Sequence, residues 1–393
     1  MATAEKKRTP NTRQSTETQP ALLAPDAFAA ALAGIPSEDW SRTWAADRTI
    51  ALRRTSKKVR EEVDKMRLPA VVCLSRSFWD DSRNGTGEAK LQFVWRQLAA
   101  MTGPCLITTL ALPKCDIREN VEQLAGLLAQ CPALAHLDLR SNNIPQEGAC
   151  ELAGVLGQCS ALTHLNLGRN RIGELGTGRL AGVLAKCSLL AHLDLSMNFI
   201  GCATLEIIGG VLAECTGLTH LNLSGNRIGN SRAESFAALG RCTALAHLDL
   251  EYNDIGAAGT ESLARVLAQC PVLSHLNLRE NAIGPDGAKR LAGVLAQCPA
   301  LAHLDLCCNS IKSDGAKSVA EVLTQCTALT HLNLRYNLLC EAGADSFAGV
   351  LGQCTVLTSL HLEMNFISDA SKQKLQQSWC GRADGLFCRH QAL

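Results

Sequence analysis

Aromatic side chains are scarce in this chain: eight Phe, five Trp and two Tyr among 393 residues. So small a stock builds few stacking platforms and few aromatic-walled pockets. Charge is thin as well. Lys and Arg total 38 against 37 Asp and Glu, a formal net charge of +1, so the basic footprint of a general nucleic-acid binder is missing. No apolar run approaches the roughly 18 residues of a membrane span. The opening MATAEKKRTPNTRQSTETQP holds no apolar stretch of a secretory signal. No Cys-x-x-Cys pair offers a zinc site. Gly284-Pro-Asp-Gly-Ala-Lys-Arg lacks the Gly-Lys-Ser/Thr ending of a phosphate loop. We find no separate Ser/His/Asp set and no nucleophile elbow. The expectation is a chain without catalytic residues, cofactors or a metal, acting neither on nucleic acid nor in a membrane.

What the chain has is apolar residues, 47% of the total, enough for a large core. Its charge is unevenly placed. Residues 1–100 carry 17 Lys and Arg against 12 acids, whereas residues 101–393 carry 21 against 25. The step coincides with a change of texture and marks a domain boundary.

From residue 107 onward the sequence repeats a pattern, Leu-x-x-Leu-x-Leu-x-x-Asn-x-Ile. Its first positions are Ile107, Leu134, Leu162, Leu190, Leu218, Leu245, Leu273, Leu301, Leu329 and Leu357, spaced by 27 or 28 residues. One unit shows the physics. His136-Leu137-Asp138-Leu139-Arg140 alternates with period two, which predicts a strand with the leucines facing in. Asn142 turns the chain and can pair backbone groups left open at the bend. Ala149, Leu152, Ala153 and Leu156 then form one helical stripe. A lone unit cannot bury that stripe, so neighbours must stack. Stacked strands lie about 4.8 Å apart and packed helices about 8–10 Å. Strands inside and helices outside must therefore curve.

The pattern and period identify the segment as leucine-rich repeats. The implied fold is an α/β right-handed solenoid, a horseshoe with a concave parallel sheet and convex helices, preceded by a small helical N-terminal region. Units of 28 residues with Gly148, Gly176, Gly259, Gly287, Gly315 and Gly343 before the helix resemble the ribonuclease-inhibitor-like subclass. That subclass includes ribonuclease inhibitors, the repeat domains of NOD-like receptors and Ran GTPase-activating proteins. Ala-His-Leu-Asp alternates with Thr/Ser-His-Leu-Asn along the array, which resembles the paired repeats of ribonuclease inhibitors. Alternation also separates the Asp side chains to about 10 Å.

The expected organisation is a polar tail at 1–22, a helical region and cap at 23–100, about ten repeats over 101–380, and a tail at 381–393. Within the cap, residues 68–74 read as a strand. Ile50 to Asp64 resembles the second half of an F-box, with Pro25, Phe28, Ile35 and Pro36 as the first half. The opening Ala24-Pro25-Asp26 departs from the usual Leu-Pro-x-Glu/Asp. The resemblance implies a Skp-type linker protein bound through residues 24–66 and a role as substrate adaptor of a ubiquitin ligase. A Ran-type GTPase-activating role is a further alternative, but the chain ends Cys-Arg-His-Gln-Ala-Leu in place of an acidic tail.

Nine of the 19 Cys share one repeat position: Cys131, Cys159, Cys187, Cys215, Cys242, Cys270, Cys298, Cys326 and Cys354. A small buried residue fits that helix-to-strand junction. The regularity implies reduced thiols and a cytoplasmic or nuclear protein. Eight His share another position: His136, His164, His192, His220, His247, His275, His303 and His331. They are expected to form a concave hydrogen-bonded ladder with the Asp/Asn column. The residues that vary between repeats are the candidate partner-binding set: Arg140, Arg169, Glu251, Tyr252, Arg279, Glu280, Arg335, Tyr336 and Glu363. Tyr and Arg are common interface anchors. The sequence therefore predicts a scaffold that binds a protein on its concave face.

Overall fold

The computed structural model describes residues 70–73, 107–118, 120–212, 214–230, 236–379 and 384–388. The chain divides into a unit of residues 1–43 and one of residues 44–393, and every described residue lies in the second. The F-box-like stretch, including residues 24–66, lies outside the described residues.

The strands form a single twelve-stranded parallel sheet in sequence order. They are β1 (Ala70–Cys73), β2 (Ile107–Ala111), β3 (His136–Asp138), β4 (His164–Asn166), β5 (His192–Asp194) and β6 (His220–Asn222). β7 (His247–Asp249), β8 (His275–Asn277), β9 (His303–Asp305), β10 (His331–Asn333), β11 (Ser359–His361) and β12 (Leu386–Phe387) follow. Nine α-helices lie among the described residues: α1 (Val121–Leu128), α2 (Gln146–Leu156), α3 (Gly173–Leu184), α4 (Cys202–Leu212) and α5 (Ala257–Leu267). The others are α6 (Gly284–Leu295), α7 (Lys312–Val322), α8 (Cys340–Val350) and α9 (Asp369–Ser378). Strand then helix, repeated without exception where both are described, is the leucine-rich-repeat solenoid.

Its register is strict. His136 pairs with His164, Leu137 with Leu165 and Asp138 with Asn166, and each later pair of repeats keeps this alignment. The central strand leucine and the stripe Ala149, Leu152 and Leu156 are buried in one continuous core. The glycines expected before the helix lie inside its first turn, and they have a packing reason. Gly176, inside the first turn of α3, would place a Cβ 2.8 Å from that of Ala149 on α2. A side chain there would push neighbouring repeats apart.

The turn asparagines carry the backbone accounting. Asn226 donates from Nδ2 to the carbonyls of Leu195 (2.9 Å), Leu223 (2.9 Å) and Ser224 (3.2 Å). Its Oδ1 accepts from the N–H groups of Asn198 (2.8 Å) and Ile200 (3.2 Å). One buried amide thus satisfies five polar backbone groups of two repeats, which water cannot reach. Asn142, Asn170, Asn198, Asn309, Asn337 and Asn365 repeat the arrangement.

The sheet extends past both expected ends of the repeats. β1 comes from the region read as a cap and pairs with β2. At the other end residues 384–388 supply β12, which pairs with β11, in place of a free tail. Cys388 and Trp379 are buried there, and the Phe387 ring stacks on His361 at 4.3 Å.

Candidate functional site: the open sheet face and its rim

Strands β3 to β10 each leave their first and third residues at least partly exposed on the face away from the helices, with the central leucine buried. The first-residue column is the histidine row. Its eight rings stack face to face, with centroids 4.0–4.2 Å apart and planes within 21°. This corrects the expected hydrogen-bonded ladder with Asp and Asn. The strand spacing brings the planar rings to van der Waals contact, so neighbouring rings cover one another. The ring hydrogen bonds go to the residue before: Nδ1 lies 2.8–2.9 Å from the hydroxyls of Thr163, Thr219, Ser274 and Thr330. Thr163 Oγ1 donates to the Ala135 carbonyl, so its lone pair must accept, and His164 Nδ1 carries the proton. Repeats with Ala before His lack this partner, and the Nδ1 atoms of His192 and His247 are buried without one.

Burial in the stack pushes the pKa of His136, His192, His247, His275 and His303 down, and neighbouring imidazoles add to the fall in His192, His247, His275 and His303. His164 falls to about 3 and His220 to about 4, again chiefly through burial, then through adjacent rings. These seven rings are therefore neutral at physiological pH.

The third-residue column alternates Asp and Asn. Asp138 and Asp249 have pKa values raised by burial, which outweighs the hydrogen bonds they accept from backbone. Asn333 donates to Asp305 on the adjacent strand at 2.9 Å. Alternation therefore gives a carboxylate an amide neighbour as well as distance from its own kind. The cysteine row is buried at the helix-to-strand junction as read, with thiols such as Cys270 pushed up to about 11 by burial. All described cysteines are free thiols. Cys307, which is buried, and Cys308, which is half-buried, follow β9 with sulfurs 3.3 Å apart.

The candidate partner-binding residues divide by whether the protein already occupies them. Arg140 faces Asp138 at 3.3 Å. Arg279 bonds Glu280 at 2.7 Å and faces Glu251 at 3.4 Å, so these three form one internal cluster. Hydrogen bonding to Glu280 raises the Arg279 pKa further. Glu363 faces His361 at 3.5 Å, and the Arg335 guanidinium lies over the Tyr336 ring at 5.2 Å. Arg169 and Tyr252 remain exposed.

Sequence reasoning missed a second row. The residue two places beyond the first rim position also lies on the loop, and both are held left-handed in most repeats, whereas Arg171 and Ala282 bridge to the preceding repeat. Arg169, Met197, Tyr252, Glu280, Cys308 and Tyr336 have φ of 51–58°, and Phe199, Arg227 and Leu338 have φ of 58–60°. Phe199 and Phe366 are exposed there, at 56% and 66%. A large aromatic just after the buried Asn was the available signal.

A family model described as Leucine Rich repeat matches residues 158–177, 214–237, 241–264 and 269–292. A search of curated proteins gives no match. Among solved structures, a plant peptide hormone receptor, RGFR1 in complex with RGF2, is 19% identical with a TM-score of 0.41, covering 68% of this chain and 37% of that one. The functional domain of InlJ from Listeria monocytogenes, described as including a cysteine ladder, is 21% identical with a TM-score of 0.41, covering 68% of this chain and 50% of that one. An internalin, InlF, from the same species is 21% identical with a TM-score of 0.35, covering 63% of this chain and 80% of that one. The chain spans half or less of the first two.

Proposed function

We propose that this leucine-rich-repeat chain is a non-enzymatic scaffold that binds a protein partner on the open sheet face and its rim. The observation that carries the reading is where its two tyrosines stand. Tyr252 and Tyr336 are exposed at 60% and 45% on left-handed positions that favour Gly or Asn. Neither adds to the core, and both project from a backbone held by hydrogen bonds to the next repeat. Rigid, exposed Tyr and Arg are efficient anchors because little entropy is lost on contact.

The test is capture with the purified full chain. Arg335→Ala with Tyr336→Ala is expected to weaken partner binding by about 2 kcal/mol or more with a nearly unchanged melting temperature. Lys289→Ala, on the exposed side of α6, should do little. Equal losses from both faces would refute the reading.

The two-residue alternation and 28-residue unit favour a ribonuclease-inhibitor-like ancestry, and the regular buried thiols favour a reducing, cytoplasmic setting. A ubiquitin-ligase adaptor is the second reading, carried by the sequence from Ile50 to Asp64. Binding of residues 24–66 to a Skp-type linker protein would decide it.

A further inference from the structure

We propose that the rim of repeats three to six, counted from β2 as repeat one, is a docking site for an acidic, aromatic-containing peptide segment. The inference deepens the scaffold reading and rests on it.

The site consists of two parallel rows. The outer row is Arg171, Phe199 and Arg227, one from each of three successive repeats, and the inner row is Arg169, Met197, Gly225 and Tyr252. Strand spacing puts neighbours in a row about 4.8 Å apart. Phe199 therefore belongs to a row with an arginine in the repeat on either side. Arg227 lies over its ring at 5.6 Å, a cation–π contact that covers one side of the ring. Gly225 makes the inner row a shelf. A Cβ there would sit 2.9 Å from Met197 Cγ, so the Met197 side chain lies across the bare backbone. Met197, Phe199 and Tyr252 are exposed at 39%, 56% and 60%.

Two features together suit this patch to a ligand, the first shared with the rest of the rim and the second its own. The first is conformational. Met197, Phe199 and Tyr252 occupy left-handed backbone at φ of 51–59°, where bulky residues are strained by about 1 kcal/mol. Gly or Asn would remove that strain, and solvent exposure gives nothing in return. The second is electrostatic. Arg169 and Arg227 have no acidic partner among the described residues, unlike Arg279 and Arg140 on the same face. Arg171 shares its field with Asp116, which is already hydrogen-bonded to Arg118 and Asn143. The backbone beneath is rigid: Arg169 N–H donates to Ser196 O at 2.7 Å, Met197 N–H to Ser224 O at 2.7 Å and Tyr252 N–H to Arg279 O at 2.9 Å.

A rim that carries three guanidinium groups with an apolar ring and a thioether calls for carboxylates beside an aromatic or aliphatic side chain. A peptide fits this better than a nucleic acid. The inner row adjoins Asp194 and Glu251 on the sheet face, which would repel a continuous phosphate chain. A peptide can present its carboxylates to the rim and neutral residues to that face.

The test titrates the full-length chain into fluorescein-labelled random copolymers of Glu and Tyr, of Glu alone, and of Lys and Tyr, and into labelled polyuridine. Glu–Tyr copolymer should bind tightest. Its affinity should fall about tenfold or more in Phe199→Ser with Arg227→Ala, and again on raising salt. Arg171→Glu with Arg227→Glu should abolish it. Circular dichroism should be unchanged, since all these side chains are exposed. Arg335→Ala with Tyr336→Ala should leave copolymer binding intact. Equal binding of Glu alone, of the Lys copolymer or of polyuridine overturns the inference, as does affinity that survives the rim substitutions. A protein partner still lost through Arg335→Ala with Tyr336→Ala would then leave the sheet-face reading standing.

Discussion

Acidification should destabilise this protein through its histidine stack. The perturbation is a shift from pH 7 to pH 5. In the folded state the rings of His164 and His220 have pKa values near 3 and 4, against about 6.5 in an unfolded chain. A cation whose folded pKa is depressed leaves the unfolded chain holding more protons. Stability is therefore present above pH 6.5 and is lost as pH falls through the interval between the two values. Linkage gives about 1.6 kcal/mol lost per ring between pH 6.5 and 5, or about 3 kcal/mol for the two. Partial solvation of the rings screens this to about half, near 1.5 kcal/mol. His136, His192, His247, His275 and His303 shift in the same direction and add to the loss. Asp138 and Asp249 oppose it, because their raised pKa values let the folded state take up protons first as pH falls toward 3.8. Seven histidines outnumber two carboxyls, so the loss should prevail. Urea midpoints at pH 7, 6 and 5 measure it. His164→Gln with His220→Gln should flatten the profile by about the two-ring share. A midpoint that holds constant or rises on acidification would show that the stack accepts protons as readily as the unfolded chain, and the burial argument would fail.

The stacking logic makes two further predictions. Asn226→Ala removes an amide that serves five backbone groups in two repeats. It should cost about 3 kcal/mol or more, since buried partners are left unpaired, and thermal or urea unfolding would read it; a loss below about 1 kcal/mol would mean water replaces the amide. Deleting residues 273–300, one whole unit, should leave a shorter folded array, whereas deleting 14 residues should not, because strand and helix fall out of phase. Circular dichroism melts distinguish the two deletions, and equal melting of both would contradict nearest-neighbour stacking.

The sequence by itself determined the architecture. A 28-residue period in Leu and Asn forces a parallel sheet, because each unit buries its stripe only against the next. Even the fate of the turn asparagines and of the cysteine row was legible, since each is a repeated answer to a repeated local need. The first strand was legible too, as the apolar run ending at Leu74. The far end was not: residues 384–388 carry no repeat motif, yet they complete the sheet because its last edge is left unpaired. The candidate site was legible only as columns. Position in the repeat showed which residues share a face, but not which neighbour each side chain chooses. Arg279 could reach a partner or Glu280, and only the folded geometry gives it to Glu280. The histidines could bond the Asp/Asn column or one another, and the strand spacing stacks them at about 4 Å because planar rings fit that gap. Phe199 reads as one residue of a loop until the tertiary fold lays the Arg227 guanidinium over its ring. Periodicity fixes the backbone, whereas side-chain choices depend on distances between residues 28 apart, which only the stacked chain sets.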